Sequence, residues 1–150
     1  MPIPAAVPIA GEGSDHLAEL GRHARGQHLA YVAHGYPDDH DGDYRRPGFW
    51  IATLHTFTFD GAHLSTTVIP VPAGELGHKR ASSYDTARSE LATLLEQLGG
   101  RENGPIAVQP FLGSRSGFSV GLIAYPEYDC ADIKHLGIRF SDPWDGGYDT

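Results

Sequence analysis

The sequence predicts an α+β fold in which an antiparallel β-sheet is built from successive hairpins and one main amphipathic helix packs on one face. Three observations carry that prediction. Within Phe49–Val71, Asp60-Gly61 separates two runs rich in β-branched and aromatic residues, and a tight type I′ hairpin turn requires φ > 0 at both central residues, which Asp-Gly adopts at little cost. Two further pairs of strand-like runs flank Gly-containing turns at His23–Gly26 and Gly113–Gly117. Ala87, Leu91, Leu94, Leu95 and Leu98 recur at helical spacing, so one stripe of a single helix is apolar. Hairpins place neighbouring strands antiparallel, and one helix covers one face, so loops, terminal segments or a partner must cover the other.

Taken in order, residues 1–13 are punctuated by Pro and Gly and read as an extended segment laid over the body. A strand near His16–Arg22, a turn over His23–Gly26 and a return strand Gln27–Tyr36 follow. In the return strand Leu29 and Tyr31 share one face, and Ala30 and Val32 the other. Pro37 ends it, and Asp38-Asp39-His40-Asp41-Gly42-Asp43 forms a polar loop. In the central hairpin a two-residue turn pairs Phe57 with Leu64, His55 with Thr66, Thr53 with Val68 and Ile51 with Pro70. Ala73–Ser83 reads as a crossing loop. Ser82 or Ser83 then caps the helix, and Gly99-Gly100 stops it in the left-handed conformation. Ile106–Leu112 and Phe118–Tyr125 make the third hairpin, with Pro110 pointing to an edge or bulge. Cys130–Phe140 reads as a short helix or turn followed by a strand, Leu136–Phe140. The aromatic tail 141–150 carries Trp144 and Tyr148 and is expected to dock on the body as a clip.

At 150 residues the chain reads as one domain, 1–150. A net charge of −8 with only 11 Lys and Arg argues against nucleic acid, since phosphate contacts need clustered cations, and against an anionic membrane surface. One cysteine and an N-terminus lacking a cationic signal region fit a reducing, cytoplasmic setting.

Candidate chemistry is sparse. His34 and His40 with Asp38, Asp39, Asp41 and Asp43 form the densest set of potential ligands, but no H-E-x-x-H or C-x-x-C spacing occurs, and the loop departs from a calcium-binding pattern at its Gly and at Trp50. No metal and no cofactor are expected. His55 lies mid-strand in the most apolar stretch, opposite Thr66, which reads as a satisfied core or edge histidine. Ser114 and Ser116 lie in a hairpin turn without the nucleophile-elbow pattern. Cys130 stands beside Asp129 and Asp132, which raise a thiol pKa. No catalytic residue is assigned, and an enzyme is not expected.

Four segments carry a resemblance. They are Ile3-Pro4-Ala5-Ala6-Val7-Pro8-Ile9; Leu20-Gly21-Arg22-His23-Ala24-Arg25-Gly26-Gln27; Phe49-Trp50-Ile51-Ala52-Thr53-Leu54-His55 leading to Phe59-Asp60-Gly61; and Pro143-Trp144-Asp145-Gly146-Gly147-Tyr148-Asp149-Thr150. Their order and spacing resemble the small actinobacterial proteins named formate hydrogenlyase regulatory protein HycA-like. The resemblance implies a cytoplasmic, non-enzymatic regulator that works through protein–protein contacts, and it brings no established site residues. The alternative is an immunity protein neutralising a basic toxin, because charge complementarity speeds capture. A third reading is a small-molecule or metal-binding enzyme. Two sets of residues are candidates for partner contact: Trp144 and Tyr148, if exposed as anchors, and Asp38, Asp39, Asp41 and Asp43.

Overall fold

The computed structural model describes residues 2–11, 17, 19–74 and 78–149. The expected strand start at His16, the loop positions 75–77, and the ends Met1, Gly13 and Thr150 lie outside the described residues. The elements in chain order are β1 Val7–Ile9, β2 Glu19–His23, β3 Gly26–Gly35, β4 Phe49–Phe57, β5 His63–Pro72, α1 His78–Glu96, β6 Arg101–Asn103, β7 Ile106–Val108, β8 Phe111–Arg115, β9 Phe118–Tyr125, β10 Cys130–Ile133 and β11 Ile138–Ser141. The class is α+β. Three antiparallel sheets replace the single one expected: a five-stranded sheet in the order β5-β4-β3-β2-β6, a four-stranded meander β11-β10-β9-β8, and the pair β1-β7.

β4 lies inside the sheet between β5 and β3, beside the central β3, and is buried on both faces. Its pairing with β5 sets His55 opposite Thr66, Thr53 opposite Val68 and Ile51 opposite Pro70. The turn differs from the expected type I′. Phe57 pairs with His63 rather than Leu64, and the register shifts between Thr56 and Phe57. Leu64 is the extra residue of this bulge and is pushed outward, 56% exposed. The longer loop closes by Thr58 N–H donating to Ala62 O (2.8 Å) and Gly61 N–H to Thr58 O (3.0 Å). Gly61, at φ +93°, lies under β7, where an added Cβ would stand 2.6 Å from Ala107 O. Buried Gln27 fastens the same junction, with Nε2 donating to Thr58 O (3.1 Å) and Ala107 O (3.0 Å) and Oε1 accepting Ala107 N–H (2.9 Å).

Strand parity divides the core. Leu29, Tyr31, Ile51 and Phe57 face one way and pack with Val7, Ile9, Phe118, Val120, Leu122, Ile133, Ile138 and Phe140. Ala30, Ala52 and Leu54 face the other way and pack against Leu91, Leu94 and Leu95. The molecule is therefore layered as helix, five-stranded sheet and second sheet, so the face away from α1 is covered by sheet rather than by loops. Each large side chain so buried contributes about 1.5–3 kcal/mol.

Three further expectations are corrected. α1 begins at His78, inside the stretch read as a crossing loop, so neither Ser82 nor Ser83 is its cap. The run Ile106–Leu112 is split, because Ile106–Val108 pairs with Val7–Ile9 while Phe111–Arg115 pairs with Phe118–Tyr125. Pro110, lacking an N–H, marks the change of sheet. Residues 130–133 form a strand against β9 instead of a short helix or turn.

Leu91 is 2% exposed beneath Ala30 and Ala52. An unpaired carboxylate there costs about 4 kcal/mol or more. Leu91→Asp is expected to abolish the cooperative unfolding transition in circular dichroism. A transition at the wild-type urea midpoint contradicts the assigned packing.

Candidate functional site

The connection from β3 to β4 is the irregular surface in which the polar candidates gather. Asp38 is a staple. Its Oδ1 accepts the Ser119 N–H (3.0 Å), while its Oδ2 accepts the hydroxyls of Ser119 (2.9 Å) and Ser114 (3.4 Å). Its own N–H donates to Gly117 O at 2.7 Å, so the loop is pinned to the β8–β9 hairpin. Those hydrogen bonds from Ser119 hold the Asp38 carboxyl below its ordinary range.

Asp41 and Asp43 are matched within the loop. Asp41 Oδ1 accepts the Asp43 N–H at 2.9 Å, and Asp43 Oδ1 accepts the Arg45 N–H (3.2 Å) and Nε–H (2.9 Å). Arg46 reaches Asp41 at 3.3 Å and Asp43 at 3.7 Å. Hydrogen bonds from the Asp43 backbone and from the Arg45 side chain, respectively, lower the Asp41 and Asp43 pKa values. Asp39 is exposed. His40 accepts Gly42 N–H at Nδ1 (3.0 Å) and donates from Nε2 to Asp43 O (3.2 Å), which defines a neutral tautomer.

What these contacts present outward is aromatic side chains with charges of both signs. The Tyr36, His40 and Tyr44 rings cluster with centroids 4.4–4.9 Å apart, Tyr36 edge-on to Tyr44 and His40 tilted against both. Tyr36 Oη donates toward the loop carbonyls of Tyr44 and Arg46 at 3.4 and 3.3 Å. Tyr44 is 69% exposed, and the Arg45 side chain 91%. Beside them a cavity of about 270 Å³ is lined by Tyr36, Asp39, His40, Arg46, Pro47 and Phe49. Sequence reading named the acids and missed Tyr36, Tyr44, Arg45 and Arg46. The Tyr-x₃-His-x₃-Tyr spacing across the loop was the available signal.

The metal hypothesis separates in space. His34 packs edge-on against Tyr36 and Trp50, at 5.4 and 5.3 Å, whereas His40 turns into its own loop. Among the described residues no three His, Cys, Asp or Glu side chains converge as a possible ion site. Trp144 is buried, 8% exposed, within the main core, and Tyr148 packs partly buried against Phe140. Neither ring stands out as an exposed anchor.

His55 lies inside a closed chain of hydrogen bonds. Tyr31 Oη donates to His55 Nε2 (2.7 Å), His55 Nδ1–H donates to Thr66 Oγ1 (2.8 Å), and the Thr66 hydroxyl donates to His63 Nε2 (2.7 Å). Burial, with His63 adding to it, lowers the His55 pKa to about 3. Cys130 is buried, and burial raises its thiol pKa, with Asp132, Glu127 and Asp129 acting in the same direction.

No family model, no curated protein and no solved structure matches this chain. Function therefore rests on the geometry. A loop folded by its own side chains, stapled to a neighbouring hairpin and presenting Tyr and Arg is suited to gripping another surface.

Proposed function

We propose that this protein is a non-enzymatic interaction protein of the cytoplasm that regulates a protein partner by direct contact through the loop Tyr36–Pro47. The supporting observation is that the loop is already ordered by internal hydrogen bonds while Tyr44 and Arg45 remain exposed. Tyr and Arg dominate interface hot spots, and prior ordering removes part of the entropy cost of binding. The four sequence segments that resemble HycA-like regulators would imply the same mode of action. The net charge of −8 favours a basic partner by steering.

Immunity to a basic toxin is the second reading. It is favoured by Tyr128, 70% exposed at the turn between β9 and β10 and flanked by exposed Glu127 and Asp129.

Tagged full-length protein, incubated with cytoplasm of its source cells, is expected to enrich one partner stoichiometrically. Tyr44→Ala and Arg45→Ala should each weaken that capture roughly 30-fold, the effect of a hot-spot truncation. Unchanged capture by both variants overturns the loop assignment. Loss only in Tyr128→Ala, with a toxin as the captured protein, transfers the assignment to the immunity reading.

A further inference from the structure

A second cluster of polar side chains lies on the helix-facing side of the five-stranded sheet, remote in sequence from the loop. It begins with Arg101, whose Nη1 donates to Leu95 O (2.6 Å) at the C-terminal end of α1, while its Nε donates to Glu19 Oε2 (2.7 Å). The same carboxylate oxygen lies 2.9 Å from His28 Nε2. His28 Nδ1 lies 3.2 Å from His23 Nδ1. The order is therefore guanidinium, carboxylate, imidazole, imidazole. His28 is fully buried, and His23 nearly so. The hairpin register explains the meeting, since His23 pairs with Gly26 and His28 with Gly21, on one face of β2–β3.

The chain ends at a groove. Its volume is about 340 Å³, and it lies between the last turn of α1 and strands β4 and β5, with His23 and Arg25 on one wall. Small-ligand sites begin at about 300 Å³. Leu54, Leu94 and Leu98 supply an apolar stripe. His23 uses Nδ1 toward His28, which leaves its Nε2 edge for an occupant. Arg25 is exposed, and among the described residues no carboxylate pairs with it. On a chain of net charge −8, this wall is a local cationic point beside an apolar trough.

We propose that this groove binds a small amphipathic carboxylate, a monocarboxylic acid with a hydrocarbon tail. Its head is held by Arg25 and His23, and its tail by Leu54, Leu94 and Leu98. A carboxylate matches the planar guanidinium fork, and the tail removes leucine surface from water. Glu19 accepts the His28 Nε2–H, so His28 Nδ1 accepts from His23 Nδ1. An anion at Nε2 then requires that nitrogen to carry a proton as well. Burial and, after it, Arg25 keep His23 below its ordinary pKa in the free protein. Binding therefore takes up one proton at His23, transferred from solvent, and the resulting imidazolium lies between the ligand carboxylate and the His28–Glu19 pair. The charged groups around His23 are Arg25 on the turn, Glu19 through His28, and Arg101 on β6.

The test is calorimetric titration of the full chain with octanoate at pH 6.5, with acetate and 1-octanol as controls. Octanoate is expected to saturate with a Kd of ~1 mM or tighter, and both controls to bind at least tenfold more weakly. Arg25→Gln, an exposed turn position, should weaken octanoate at least tenfold without loss of the fold. Ser65→Phe, which fills the groove from β5, should abolish binding. The heat should differ between phosphate and Tris buffers in proportion to one proton taken up, and that difference should vanish in His23→Gln. Octanol binding as tightly as octanoate, undiminished affinity in Arg25→Gln, or no saturation by ~10 mM each overturns the proposal.

Discussion

Between pH 7 and pH 5 the protein is expected to lose about 2 kcal/mol of unfolding free energy through His55 alone. The ring is 1% exposed, and its pKa is lowered to about 3 by burial and by neighbouring His63. Its two nitrogens are satisfied in the neutral state by Tyr31 and Thr66. A second ring proton would place a charge in the core with no carboxylate among its hydrogen-bond partners. The folded pKa lies below the unfolded value of about 6.5. Stability is therefore complete above that value and falls as the unfolded chain takes up a proton that the folded chain refuses. The slope is about 1.4 kcal/mol per pH unit for a fully shifted group.

His23, His28, His63 and His135 are lowered too, each chiefly by burial, and they steepen the same window. Asp38, Asp41 and Asp43 are lowered from 3.8. Their contribution is present above that value and is lost only in more acid solution. Urea unfolding at pH 7, 6 and 5 measures the slope, and the His55 ring signals in NMR should remain untitrated throughout. A flat stability profile, or a His55 ring titrating near pH 6.5, refutes the buried neutral state.

What the sequence disclosed was what depends on alternation. The faces of β3 and β4 follow from a period of two, whereas the pairing of His55 with Thr66, expected from a two-residue turn, holds because the extra residue Leu64 restores the register beyond a longer loop. The turn itself was misread, because Asp60-Gly61 suits φ > 0 but does not reveal that Gln27 and Ala107 hold a longer loop from outside. The second sheet was only partly legible for a related reason. β10 and β11 are four residues each, too short to show a period, and their turn uses His135 and Gly137 at φ +73° and +68° without a Pro or Asn-Gly signal. The candidate site was least legible of all. Asp38 reads as one acid in an acidic run, and its role as a staple depends on Ser119, 81 residues away. His23 and His28 are separated by five positions. Only a two-residue turn at Ala24-Arg25 places them on one face, whereas a turn over His23–Gly26 removes His23 from the strand.

Truncation after Ser141 is expected to lower the melting temperature by ~10 °C or to drive the chain into aggregation. The tail is joined to the body by backbone hydrogen bonds at its middle and near its C-terminal end. Ala10 N–H donates to Gly146 O at 3.0 Å, and Arg139 and Asp149 exchange backbone hydrogen bonds of 2.8 and 2.9 Å. Gly146, at φ +95°, lies so close to the N-terminal segment that an added Cβ would stand 2.7 Å from the Ala10 Cβ. Ahead of these joints Trp144 enters the core that also holds Val7, Ile9 and Phe140, and between them Tyr148 meets Phe140 with ring centroids 5.7 Å apart. Removing a buried Trp side chain costs about 3–5 kcal/mol. That is a large part of the 5–15 kcal/mol net stability of an ordinary domain, and each kcal/mol shifts the melting temperature by about 2–4 °C at this size. Two variants separate the contributions. Trp144→Ala keeps the backbone joints and should lose most of the stability, whereas Gly146→Ala keeps the ring and strains the contact with Ala10. Scanning calorimetry of the two beside the truncated chain measures both. A truncated chain that melts with the full-length protein and no longer captures the partner would falsify the structural role of the tail and make Trp144 and Tyr148 binding residues.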